Sequence, residues 1–356
     1  MNMYRFDSIV IIAALAAALS GCSGSGGAAP VSSPTASTPP STSIPTDQQR
    51  AQAATQTATN NAACTAIQPF YWEIGDRSAA LTGGTAGGAS PAATTPLLIA
   101  SASKWFFGAY VVQVRNGNLG ANDLAALTMR AGYTNLKYST CTKRVPAAQN
   151  AETVHECLVA AHLGGGSNAD YDGTAAGKFF YNGGHFQWLA DTGLGLGAAN
   201  NAALQSAIAA VVGMDLSFTY DSPQLAAGIQ TSGQDYGLFL RKILGNQLRM
   251  HDALGTNAVC ASPAACPGQA ISSPIPASET WHYSLGHWVE DDPAVGDGAY
   301  SSPGAFGFYP WIDASKTYYG ILARYSQPSL LGDTVAFDSV NCGRRIRKAW
   351  LTGTAQ

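Results

Sequence analysis

Between positions 62 and 352 the apolar and polar positions sort the chain into one early strand, a group of helices and a late run of strands. Residues 69–76 (PFYWEIGD) are aromatic-rich and end in a turn, the pattern of a strand. A Gly/Thr/Ala/Pro loop is expected from Leu81 to Pro96. The stretch from Ile99 to Gln113 follows and is apolar on nearly every side after Lys104, through Trp105, Phe106, Phe107, Tyr110, Val111 and Val112. That predicts a helix starting at Ser101 and buried all round, not an amphipathic one. Short helical patterns cover 123–129 and 148–162, and 164–177 reads as a loop. Positions 202–212 and 236–248 are apolar at i, i+3, i+4 spacing and predict two further helices. From Trp281 the texture changes. Residues 281–289, 304–312 and 317–324 predict successive aromatic strands, with turns at Asp292-Pro293 and Asp313-Ala314, and 342–350 predicts a closing basic helix. The order points to an α+β fold: an antiparallel sheet flanked by terminal helices, with a helical insertion domain between the first and later strands.

The chain's first sixty residues follow other rules. Arg5 precedes an apolar run from Ile9 to Leu19, too short to span a bilayer and suited to a signal peptide. The run ends in Leu19-Ser20-Gly21-Cys22, which resembles the lipobox of bacterial lipoproteins. The resemblance implies cleavage before Cys22 and lipidation of its thiol. With Ser23 next, it implies a lipid-anchored protein on the periplasmic face of the cell envelope, at the outer membrane. Residues 1–21 are then the signal peptide and 22–62 a flexible Ser/Thr/Pro/Ala tether, since almost no large apolar residue is present to bury. The folded domain is expected over 63–352, as a monomer whose only membrane contact is the anchor.

Charged residues are 12% of the chain and the net charge is −3, so no nucleic-acid surface is indicated. Besides Cys22, six cysteines remain: Cys64, Cys141, Cys157, Cys260, Cys266 and Cys342. An even count in an exported chain suggests three disulfides, although sequence alone leaves their connectivity open. We expect Cys141–Cys157, Cys260–Cys266 and Cys64–Cys342, the last tying the domain's two ends together. No Cys-x-x-Cys or His-Glu-x-x-His spacing occurs, so no metal site is expected.

The candidate chemistry begins at Ser101 and Lys104. Residues i and i+3 share a helix face, which brings the amine beneath the hydroxyl. A desolvated lysine loses its charge readily and becomes a base, and a serine hydroxyl needs such a partner to act as a nucleophile. A bland reading exists too: Ser101 as an N-cap and Lys104 as a snorkelling surface residue. Lys104 is, however, the only one of seven lysines with a serine three positions earlier, and a charge opening so apolar a helix needs a reason.

Three segments together resemble the serine β-lactamase and penicillin-binding-protein superfamily, most closely the class C β-lactamase-related branch of esterases, D-amino peptidases and nylon-oligomer amidases. Ser101-Ala-Ser-Lys104 matches its Ser-x-x-Lys site. Residues 180–185 (FYNGGH) are similar to its Tyr-x-Asn-x-Gly-Tyr segment. Aligned on Asn182 and Gly184, they put Phe180 where the tyrosine belongs and Tyr181 one residue late. Ser302-Pro303-Gly304-Ala305 falls where a strand opens with Lys-Thr-Gly or His-x-Gly in the family.

The resemblance implies a catalytic set of Ser101, Lys104 and Tyr181, with Asn182, Ser302, Gly304 and Ala305 binding substrate. It also implies an oxyanion hole from the N–H groups of Ser101 and Ala305. The expected activity is hydrolysis of a small-molecule ester or amide, β-lactams and D-amino-acid peptides included, through an acyl-enzyme and without a cofactor. The alternative is a catalytically inactive binding or scaffold lipoprotein, suggested by Phe180 and by the missing lysine at Ser302.

Other conspicuous residues have plainer readings. Gly193–Gly197 reads as a turn, and His282 and His287 as core histidines facing opposite sides of a strand. His185 is packing or a pocket border. Glu290, Asp291, Asp292 and Asp297 read as a solvated turn before a calcium site. Arg344, Arg345, Arg347 and Lys348 read as a solvated helix face.

Overall fold

The computed structural model describes residues 44–141, 152–327 and 334–356, and every helix and strand described belongs to the unit Pro45–Gln356. The expected signal peptide, Cys22 and most of the expected tether lie outside the described residues.

Eight strands make one sheet: β1 (Phe70–Asp76), β2 (Ala80–Ala86), β3 (Val259–Cys260), β4 (His282–Tyr283), β5 (Trp288–Glu290), β6 (Ala299–Ser301), β7 (Tyr309–Ile312) and β8 (Tyr318–Ala323). Their order is β2-β1-β8-β7-β6-β5-β4-β3, and every neighbouring pair is antiparallel. The aromatic β1 lies inside the sheet, with Tyr71 opposite Ala323 and Asp76 opposite Tyr318. The expected loop after Leu81 begins instead as β2. Its Gly- and Thr-rich sequence lacks the bulk of a buried strand, and the ladder to β1 holds it.

The helices that frame the sheet and the site are α1 (Asp47–Asn60), α2 (Ser103–Val114), α3 (Ala121–Leu127), α4 (Gly184–Trp188), α5 (Asn201–Val212), α6 (Gly233–Leu244) and α7 (Val335–Thr352). Helix α6 covers the sheet face that carries Tyr319, and α7 covers the opposite face at Tyr318 and Tyr309. Helix α2 is the core: every residue from Ser103 to Val112 is buried. Phe106 stacks on Phe239 of α6 at 4.0 Å, Trp105 on His287 at 5.4 Å, and Phe107 packs against Phe186 of α4. An α+β sheet with terminal helices and helices inserted between β2 and β3 is the expected architecture.

The tether ends earlier than expected. Thr46 caps α1 through a capping box with Gln49, and Ala54 and Ala58 are fully buried against α7. Arg50 donates to the carbonyls of Trp350 and Leu351, at 2.9 and 3.0 Å. Small alanines suffice here because α7 supplies the bulk they pack against. The three disulfides pair as expected, and Cys64–Cys342 fastens the segment after α1 to α7.

The basic residues of α7 divide: Arg345 and Lys348 are exposed as expected, whereas Arg344 and Arg347 are drawn inward. Arg347 is wholly buried and bonds Glu290, Asp297 and the Tyr309 hydroxyl, while Arg344 bridges Glu279 and Glu290. Glu290 is therefore part of a buried ion cluster and not of a solvated turn. No grouping suited to a metal ion exists among the described residues. Burial raises the Glu290 carboxyl, yet Arg347 and Arg344 bring it down to about 2.

Removing Arg347 leaves the buried Glu290 carboxylate with Arg344 as its one remaining cation among the described residues. Arg347→Ala should lower unfolding free energy by about 3–5 kcal/mol in urea titrations, and a Glu290→Gln/Arg347→Met pair should recover most of it. Because the folded carboxyl is depressed, the wild-type stabilisation is complete above the ordinary carboxylate range and is lost as pH falls towards 2.

Candidate active site

Ser101 sits on one turn of 3₁₀ helix (Ala100–Ala102) directly ahead of α2, not on the α-helix itself. The turn is entered through Ala100 at φ 48°, a left-handed conformation that strains a residue with a Cβ. The i, i+3 spacing still holds across the junction. Lys104 Nζ lies 3.0 Å from Ser101 Oγ.

The amine's surroundings are closed. Lys104 is 3% exposed, and its second hydrogen bond goes to the carbonyl of Ala226 at 3.0 Å. The Tyr181 ring covers it, with Nζ 4.7 Å from the ring centroid. No carboxylate pairs with it among the described residues. Burial therefore acts unopposed and lowers the amine to about 7. The Ala226 carbonyl is held from behind by Gln187 of α4, which donates to Pro223 O at 2.7 Å and accepts from Leu225 N. A backbone carbonyl carries no residue signature, so sequence reasoning had no way to find it.

Tyr181, not Phe180, stands beside the serine. Neighbours on an extended segment point to opposite sides, so turning Tyr181 towards Ser101 turns Phe180 and Asn182 away. Burial raises the Tyr181 hydroxyl to about 12, with hydrogen bonds from Ser101 and Trp288 pulling the other way. It stays protonated at neutral pH. Trp288 stacks on its ring at 5.2 Å.

Three of the expected substrate contacts take other roles. The Asn182 amide is committed to backbone: its Oδ1 accepts from the N–H groups of Leu136 and Gly184, and its Nδ2 donates to Leu136 O. Ser302 is buried, and its hydroxyl donates to the carbonyl of Ser101 at 2.9 Å. It holds the backbone of Ser101. Gly304 donates its N–H to Phe308 O, and a Cβ there would lie 2.1 Å from Ile99 O. Glycine is needed at 304 so that this edge can approach the turn bearing Ser101. The segment 302–305 follows strand β6; it does not open a strand.

Ala305 is exposed and borders the same cleft as Ser101. The N–H groups of both residues have no acceptor among the described residues, which leaves them available to a developing oxyanion.

A cleft of 480 Å³ opens over Ser101. Its walls are Tyr181, Trp288, Phe337 and the Pro274-Ile275-Pro276 segment. No side chain bearing a formal charge lines it among the described residues. The aromatics nearest Ser101 in sequence, Trp105 and Tyr110, lie in the core instead. His185 is fully buried, donates to Phe180 O and accepts from Ala131 N. Burial lowers it to about 4, so it is a neutral structural residue. His287 is buried as expected, whereas His282 lies at the surface beside Asp291.

The strain at position 100 has a direct test. Ala100→Gly should leave thermal stability unchanged or raise it by up to about 1 kcal/mol, because glycine accepts φ 48° without penalty. A clear loss of stability in that variant would show that the Ala100 methyl carries packing worth more than the strain.

No protein-family model and no curated protein sequence matches the chain. Solved structures do match in shape. D-amino acid amidase from Ochrobactrum anthropi SV3 superposes with a TM-score of 0.58 at 10% identity, over 83% of this chain and 99% of that one. Simvastatin synthase (LovD) from Aspergillus terreus gives 0.55 at 15% identity, over 85% and 97%. A candidate β-lactamase from Bacteroides dorei DSM 17855 gives 0.54 at 21% identity, over 79% and 93%. The chain has the fold of the serine β-lactamase and penicillin-binding-protein superfamily.

Proposed function

We propose that the protein is a serine acyl hydrolase of the cell envelope that cleaves uncharged, apolar esters or amides through a Ser101 acyl-enzyme. One observation carries this reading: a serine hydroxyl 3.0 Å from a buried lysine amine whose pKa burial has brought to about 7. Near neutral pH the amine is partly unprotonated and able to accept the serine proton. An amidase shares the fold, in line with acyl chemistry at this site.

In the first half-reaction neutral Lys104 takes the Ser101 proton while Oγ bonds the substrate carbonyl carbon. The carbonyl π pair moves to oxygen, which the N–H groups of Ser101 and Ala305 receive. Collapse expels the alkoxide or amine. This group takes the Tyr181 proton, and the Lys104 ammonium restores the phenol. In the second half-reaction water attacks the acyl carbon as neutral Lys104 takes its proton. Collapse then returns that proton to Ser101 Oγ and releases the acid.

The absence of a charged group in the described cleft walls supports a neutral substrate, and Ser302, spent on the Ser101 carbonyl, offers no cation to a carboxylate. The inactive alternative leaned on Phe180 and Ser302. Tyr181 beside Ser101 answers the first point, and the second bears on specificity instead of on acyl transfer. Three disulfides and the lipobox-like sequence ending at Cys22 support an oxidising, membrane-anchored setting.

A fluorophosphonate probe should form one adduct, at Ser101, and none with Ser101→Ala; a folded wild-type protein that never labels would overturn the reading. Labelling should rise with pH through about 7 and level off above it, because the base is the deprotonated amine. Lys104→Arg, permanently charged, should slow labelling by roughly 10²-fold or more. Among substrates, kcat/KM for p-nitrophenyl butyrate should exceed that for nitrocefin, which carries a carboxylate, by at least about tenfold.

A further inference from the structure

A second cleft lies in the helical part of the domain and shares no lining residue with the one over Ser101. It encloses 610 Å³, within the usual range of small-molecule sites. Three aromatic rings stand around it. Tyr133 stacks on Trp188 with centroids 4.9 Å apart and planes 15° apart, and Tyr171 meets Tyr133 at 5.6 Å. Tyr171 is 60% exposed, a large apolar ring left facing water. Alanines such as Ala125 and Ala131 leave room between the rings and the backbone.

The frame is set before any ligand arrives. The 171–177 loop is tied to the 130–132 segment by two backbone hydrogen bonds, Asp172 N to Gly132 O and Gly177 N to Arg130 O, both 2.8 Å. Arg130 borders the cleft, and its Nε donates to the Thr128 hydroxyl at 3.0 Å, which orients the guanidinium plane. Its two Nη groups meet no acceptor among the described residues. An oriented guanidinium fork beside exposed rings presents donors and flat apolar surface together. The fork matches a carboxylate in bidentate geometry, and the rings match a second ring.

We infer that this cleft is a second binding site, for a small molecule in which a ring bears a carboxylate, held by Arg130 and by stacking on Tyr171, Tyr133 and Trp188. Two sources offer that chemistry: aromatic acids and uronic-acid sugars. The site involves none of the groups around Ser101, so it stands or falls apart from the catalytic reading.

Calorimetry on the intact domain with 4-hydroxycinnamate and with glucuronate tests it, against 4-hydroxycinnamyl alcohol and methyl glucoside as uncharged counterparts. Saturable binding of either acid, at least about tenfold tighter than its counterpart, is expected, and which acid binds identifies the source. Arg130→Gln and the surface variant Tyr171→Ala should each weaken that binding about tenfold or more while fluorophosphonate labelling of Ser101 stays at the wild-type rate. Three results would overturn the inference: neither acid saturating below about 10 mM, neutral counterparts binding as well, or Arg130→Gln retaining full affinity.

Discussion

The chemistry available to this fold depends on keeping one amine out of water. A lysine in solvent is protonated at neutral pH and useless as a base, so the proposed reaction at Ser101 rests on the enclosure of Lys104. That enclosure draws on distant parts of the chain. The Tyr181 ring covers the amine, Ala226 offers a carbonyl, and Gln187 fixes the loop bearing that carbonyl. Helix α2 itself is buried from Ser103 to Val112, Lys104 included.

The sheet joins this site to the part of the molecule that resists unfolding. Strand β5 carries Trp288, which stacks on Tyr181, and two residues later Glu290, which lies between Arg344 and Arg347. Helix α7 supplies both arginines and also Phe337 in the cleft wall. A single helix thus anchors the ion cluster and lines the cleft over Ser101, and its disulfide to Cys64 ties it to the segment leading into β1.

Much of this was legible in the sequence because it is local. Ser101 and Lys104 declare themselves by spacing, the central helix by its apolar run, and the late strands by their aromatic content, although 281–289 divides into β4 and β5 and 304–312 becomes a strand only from Tyr309. Features that depend on partners far away in the chain were not legible. Alanines at 54 and 58 look like tether until α7 lies against them, and Arg347 looks solvated until Glu290 and Asp297 are found beside it. The motif around Asn182 misled for a geometric reason. An alignment weighs letters, whereas on an extended segment a one-residue offset exchanges the side chain facing the serine for the one facing away.

The hydrogen bond from Ser302 to the Ser101 carbonyl also limits how this site can diversify. A cation at 302 is the simplest single change that would let the cleft greet an anionic ligand. The same change removes the tie that steadies the Ser101 backbone. On the proposed reading, a move towards acidic compounds would therefore begin with a loss of turnover and require a compensating change nearby.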